Sequence, residues 1–166
     1  MRLSHTVVAG LGNPLLRDDS AGLHLIDILE SRLGGVHGVT CKKLYCGGID
    51  LVGELASFAN AIIVDCLVAP GATPGEIRKF DFSMKTGAEK AGASFGASHG
   101  VDLADALALG NALGFEMPGT VVVYGIVGGD VATFDTNPQS AVRSAVDRLA
   151  IMIERDVKYL ASTRKI

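Results

Sequence analysis

The stretch Ala61-Ile62-Ile63-Val64-Asp65-Cys66-Leu67 is apolar on both alternations of a strand, and it is too short for a buried helix of ordinary length. Residues 119–129 form a second run of the same kind, rich in Val and Ile. Strands that are apolar on both faces belong to sheets covered on both sides, and such sheets are mainly parallel. Parallel neighbours in turn require a crossover helix between them. The chain alternates such runs with helical patterns from end to end. This predicts one domain over residues 1–166, a three-layer α/β/α sandwich around a mainly parallel five-stranded sheet.

Residues 6–11 read as the first strand, closing in the turn formers Gly10, Gly12, Asn13 and Pro14. A helix is predicted over residues 20–33, with Ala21, Leu25, Ile28, Leu29 and Leu33 on one face. Asp18, Asp19 and Ser20 offer it N-cap chemistry, and Gly34 a stop. Residues 39–45 read as a more polar strand suited to a sheet edge, and Asp50 as the cap of a short helix reaching residue 58. Strands follow at residues 61–67 and, with more polar character, 76–82. Residues 83–97, rich in Gly, Ala and Ser, predict a long loop, and loops of that length are usually functional or mobile. A helix over residues 101–113 and a strand over residues 120–127 come next. The last helix is expected after Thr136 or Asn137, with Pro138 in its first turn and Val142, Val146, Leu149, Ile153, Val157 and Leu160 on one face.

Fifteen Lys and Arg against eighteen Asp and Glu give a net charge of −3, which leaves no basic footprint for nucleic acid or anionic lipid. The mean hydropathy is positive, yet no apolar run approaches the roughly 20 residues that a membrane helix needs. Residues 1–6 lack the charged-then-apolar layout of a signal peptide. Cys41, Cys46 and Cys66 are odd in number and form no CxxC pair, which argues against a disulfide framework and a structural zinc site. The expectation is a cytoplasmic protein with neither nucleic acid nor membrane as partner.

Ligands of open α/β sheets gather outside the carboxyl ends of the strands. Asp19, Asp65 and His99 fall where they converge there: after the first strand, late in a buried strand, and at the end of the long loop. Asp65 carries the strongest signal, because a carboxylate in a buried strand is costly unless it is paired, hydrogen-bonded or on a metal. Its plain reading is a strand-end residue capping a neighbouring helix. Asp19 alone reads as a first-turn acid favoured by the helix dipole, and His99 alone as a structural or exposed loop histidine. Together, two carboxylates and an imidazole suit a borderline ion such as zinc or nickel, although they form no compact motif of the HExxH kind. Gly10-x-Gly12 suggests a dinucleotide fingerprint, but the third glycine position is Leu15. Asp18 and Asp19 would also repel a pyrophosphate, so NAD is disfavoured.

The segment from Val7 to Gly22, which includes Gly10-Leu11-Gly12-Asn13-Pro14-Leu15-Leu16-Arg17-Asp18-Asp19, resembles the G-[ILV]-G-N-x-L-x-x-D-[DE]-x-x-G opening of the [NiFe]-hydrogenase maturation proteases. Gly47-Gly48 resembles that family's Asp-Gly-Gly turn, and Ile62-Ile63-Val64-Asp65 its buried-strand aspartate. Pro74-Gly75-Glu76-Ile77 resembles its strand entry, Ser98-His99-Gly100-Val101-Asp102-Leu103 its histidine segment, and Val122, Tyr124, Gly125 and Ile126 its late strand. The resemblance runs over about residues 6–155.

It implies a phosphorylase/hydrolase-like fold and a metal-dependent endopeptidase. The implied substrate is the large-subunit precursor of a [NiFe] hydrogenase, whose C-terminal extension is removed after nickel insertion. Position by position, the metal-contacting and catalytic residues it implies are Asp19, Asp65 and His99. The nickel is presented by the substrate, with zinc, cadmium or another divalent ion as a surrogate. Cys46 stands where many members carry the Asp of Asp-Gly-Gly. Two other readings stand beside this one. A non-catalytic nickel-sensing chaperone or binding module of the same fold has Cys46 as its support. Peptidyl-tRNA hydrolase shares the Gly-Leu-Gly-Asn-Pro opening but follows it with a Tyr and then Thr-Arg-His-Asn, whereas the stretch from Leu15 to Gly22 here contains Asp18 and Asp19 and no histidine.

Overall fold

The computed structural model describes residues 3–45, 47–83 and 103–163. The strands are β1 (Leu3–Leu11), β2 (Val39–Leu44), β3 (Phe58–Leu67), β4 (Ile77–Ser83) and β5 (Thr120–Val127). The helices are α1 (Ala21–Leu33), entered through a single 3-10 turn at Asp18–Ser20, then α2 (Asp50–Leu55), α3 (Leu103–Ala112) and α4 (Ser140–Thr163). One sheet runs β2-β1-β3-β5-β4, with every pair parallel except β4 against β5. This is the expected mainly parallel five-stranded sheet, and the polar strands β2 and β4 take its two edges.

Alternation along the central strands divides the core. Val8, Ile62, Val64, Tyr124 and Ile126 face one way and pack with the apolar stripes of α1 and α4. Val7, Ala9, Ala61, Ile63, Val121 and Val123 face the other way and pack with α2 and α3. The α4 stripe follows the predicted period: Val142, Val146, Leu149, Ile153 and Val157 are all buried. Each such side chain contributes roughly 1.5–3 kcal/mol of apolar burial. That is why the 3.6-residue pattern, rather than the polar outer face, determines how the helix lies. No helix among the described residues is long and apolar enough to cross a membrane.

Three local expectations change. Ser20 occupies the N-cap of α1 but has helical backbone angles and makes no side-chain cap bond; its Oγ donates instead to the Arg17 carbonyl at 2.7 Å. Asp50 sits inside α2 behind Ile49, makes no cap, and the helix stops at Leu55, because residues from Phe58 onward join the sheet. Pro138 lies ahead of α4, which starts at Ser140. Ser83 still belongs to β4, while the rest of the predicted loop at residues 83–97 lies outside the described residues.

The strand order locates the crevice. From β1 the chain first moves outward to β2, then returns to place β3 on the other side of β1. The connections therefore diverge at the carboxyl ends of β1 and β3, the topological switch point where ligands of such sheets bind.

Candidate active site

Asp19 and Asp65 flank that switch point. β1 and β3 stay in register as far as Gly10 opposite Val64, so Asp65 is the next residue of β3 as the pairing with β1 ends. Across the sheet its partner on β5 is Gly125, which places no side chain beside the carboxylate. Asp65 is buried, at 7% exposure, and its Oδ1 accepts the N–H of Cys66 at 2.8 Å. That amide is its own strand neighbour, so the helix-capping reading of Asp65 does not describe its geometry. Burial pushes the carboxyl up to about 7; the Cys66 N–H opposes this, and the nearby charge of Asp19 adds to it. The two acids thus lie within electrostatic reach of each other, and the inner one keeps its proton to near neutrality.

Asp19 is brought there by glycines. A Cβ on Gly12 would stand 2.0 Å from the Asp19 carbonyl oxygen, so only a bare backbone lets this turn fold onto the end of β1. One level deeper, Gly10 and Gly22 meet the same demand: a Cβ on Gly10 would lie 2.0 Å from the Gly22 carbonyl, which seats the start of α1 against the sheet. The Asp19 carboxylate accepts the Asn13 N–H at 3.0 Å, and the Asn13 side chain accepts the Leu15 N–H at 3.0 Å.

Asp18, assigned to N-capping in the sequence, does something else. Its fully buried carboxylate reaches across to the segment between β5 and α4. Oδ2 accepts Gly129 N at 2.8 Å and Asp130 N at 2.9 Å, and Oδ1 accepts Gln139 N at 2.7 Å. Arg17 reinforces the junction by pairing with Asp130 at 3.3 Å and Asp135 at 2.9 Å. The turn that carries Asp19 is therefore bolted to the opposite wall of the crevice. A preference for acids at helix starts pointed to Asp18, but not to partners more than a hundred residues away.

Burial and the charges of Asp19, Asp65 and Asp18 push the Cys66 thiol well above its ordinary range, so in the free protein it stays protonated and is a poor nucleophile. Burial raises Cys41 to about 11, with the same consequence. Among the described residues no group of three His, Cys, Asp or Glu side chains is arranged to hold a metal ion. Asp19 and Asp65 are the two oxygen donors brought together. His99, the predicted third ligand, and Cys46 lie outside the described residues.

Residues 46–156 match the family HycI, hydrogenase maturation protease. The chain belongs to this family. The matched span includes Asp65 but begins after Asp19. The curated hydrogenase 2 maturation protease of Escherichia coli (strain K12) is 32% identical over 69 residues, and the aligned stretch spans 42% of this chain and 42% of that protein. Among solved structures, the E. coli hydrogenase maturating endopeptidase HybD superposes with a TM-score of 0.73 at 20% identity, covering 93% of each chain. The [NiFe] hydrogenase maturation protease HybD from Thermococcus kodakarensis also gives 0.73, at 21% identity, over 92% of this chain and 99% of that one. These superpositions show a shared fold over more than nine-tenths of this chain. Family membership sets the peptidyl-tRNA hydrolase reading aside.

Proposed function

We propose that the chain is an endopeptidase that removes the C-terminal extension of a nickel-loaded [NiFe]-hydrogenase large-subunit precursor, with Asp19 and Asp65 at the reacting centre. The observation that carries this reading is the pair of electrostatically coupled carboxyls at the switch point, one buried and held near pKa 7. An acid with its pKa near the working pH accepts or donates a proton with little loss in either direction, which suits it to acid–base work on water and on a leaving amine. Asp19, held by the Asn13 N–H, supplies a second carboxylate facing the same crevice.

The donor set also fits a borderline divalent ion carried by the substrate. Two carboxylate oxygens are present, Cys66 stays a thiol, and the family pattern supplies an imidazole at His99. A cation would favour the ionised form of Asp65 and offset the cost of burying it. Substrate-borne nickel would supply Lewis acidity and positive charge. In this reading Asp19, Asp65 and His99 recognise that charge, so a precursor without nickel is a poor substrate. Zinc or cadmium would occupy the same oxygens as surrogates.

The test uses purified protein with nickel-loaded and nickel-free precursor, read as a size shift on a gel. Cleavage of the loaded form alone is expected. No cleavage of either removes the protease reading, and equal cleavage of both removes the nickel requirement. A second expectation comes from Gly12→Ala. The added methyl would have to displace the Asp19 backbone, and a misplacement of that order costs on the order of 100-fold in rate. Native cleavage rates in this variant would mean that the position of Asp19 does not matter.

A further inference from the structure

Leu15, Tyr45, Ile49, Val68 and Phe134 are exposed apolar side chains, and each follows the carboxyl end of a parallel strand. Of these, Leu15 lies in the turn that carries Asp19, and Phe134 is bridged to that turn through Leu16. Phe134 is the extreme case at 82% exposure. A phenyl ring in water is unfavourable, and a loose segment would fold it away. This segment is not loose. Asp135 N donates to the Leu15 carbonyl at 3.1 Å, Arg17 N donates to the Thr133 carbonyl at 3.0 Å, and Leu16 pairs with Phe134 as an antiparallel bridge.

Backbone bonds on both sides of Phe134 therefore fix its position, with the ring left outward. The same bonds bring Leu15, 57% exposed, alongside the segment that carries it. Leu15 belongs to the turn in which Asn13 binds both the Leu15 N–H and the Asp19 carboxylate. The nearby charges are committed to each other, since Arg17 pairs with Asp130 and Asp135. Arg17 faces two acids here and Asp19 is a third, so a strongly acidic peptide would be repelled, whereas an apolar one meets a preformed surface. Pre-ordered aromatic groups lose little freedom on binding and dominate the interfaces they enter.

We propose that Phe134 and Leu15 form an apolar clamp that seats an apolar segment of the hydrogenase precursor beside its scissile bond. The inference rests on the protease reading above. The clamp is continuous with the turn of Asp19, so a precursor held at the carboxylates has its neighbouring residues within reach of it.

Cleavage kinetics with nickel-loaded precursor test the clamp in Phe134→Ala, Leu15→Ala and the double variant. Ile151→Ala, on the exposed side of α4, serves as the control. Phe134→Ala is expected to raise KM by about tenfold or more, with the change carried by KM rather than kcat. Phe134→Leu is expected to recover most of it, and Ile151→Ala to match the native chain. The pinning bonds are made by backbone atoms, so melting temperatures should agree across the set. An unchanged KM in the double variant, with the native chain cleaving normally, overturns the clamp and leaves the protease reading intact. A native chain that binds precursor without cleaving it, and binds more weakly after Phe134→Ala, sinks the protease reading and keeps the clamp. A dimer in sedimentation that Phe134→Ala abolishes would make this surface a self-association face and overturn the proposal.

Discussion

Replacing Asp65 with asparagine is expected to abolish precursor cleavage and, at the same time, to stabilise the free protein at mildly alkaline pH. The sign follows from the raised carboxyl. An unfolded Asp loses its proton near 3.8, whereas Asp65 in the fold holds its proton to about 7. Between those values the folded state binds a proton that the unfolded state lacks, so the Asp65 contribution to stability falls as the pH rises. Above about 7 the penalty is complete, on the order of 4 kcal/mol at roughly 1.4 kcal/mol per unit. Asparagine keeps an oxygen for the Cys66 N–H and carries no charge to bury. The stability difference between Asp65→Asn and the native chain should therefore grow from about pH 5 to about pH 8 and then level off. Urea midpoints at the two pH values measure it. A difference that is flat with pH, or an asparagine variant less stable at pH 8, would contradict the account.

The same substitution at Asp18 should have the opposite effect. In Asp18→Asn, one of the two oxygens that serve Gly129, Asp130 and Gln139 becomes an NH2 group facing a backbone N–H. Asp18→Ala leaves all three amides without their acceptor. Each unsatisfied buried amide costs about 1–3 kcal/mol, and breaking a buried charged network typically costs about 3–5 kcal/mol. Both variants are expected to lose on the order of 3 kcal/mol or more, read as a shift in the denaturant midpoint with unchanged slope. A loss below about 1 kcal/mol in Asp18→Ala would mean that water replaces the carboxylate at no cost. Two adjacent-looking acids at one crevice thus separate by a single chemical change. Asp18 holds the structure together, while Asp65 is tolerated by it.

That separation marks where sequence reading reached its limit. The sheet was legible because Ile62, Ile63 and Val64 are apolar on both alternations, and α4 because Val142, Val146, Leu149 and Ile153 keep one phase. Asp65 stood out for a local reason, a charge inside an apolar strand. Asp18 was misread for an equally local reason, because acids favour helix starts. Its true partners, Gly129, Asp130 and Gln139, come from the other end of the chain, and no window around residue 18 contains them. The early stop of α2 had the same origin: the claim of β3 on Phe58 outweighed a helical pattern. Phe134 gave no signal, since an isolated aromatic in a polar segment looks alike whether it is buried or left outside. His99, the third expected member of the site, lies outside the described residues and was reached through the family pattern.

The Asp18 junction also dictates an order of events during synthesis. Asp18 and Asp19 leave the ribosome before β5 exists, yet the Asp18 carboxylate lacks its last donor until Gln139 has followed. Contacts of such long sequence separation close late, after local helices and hairpins have formed. A nascent chain therefore carries the Asp18–Asp19 turn for most of translation without the junction that holds it. On the proposed reading, an unfinished chain would be unable to clip a precursor, or any neighbour, before its own last helix begins.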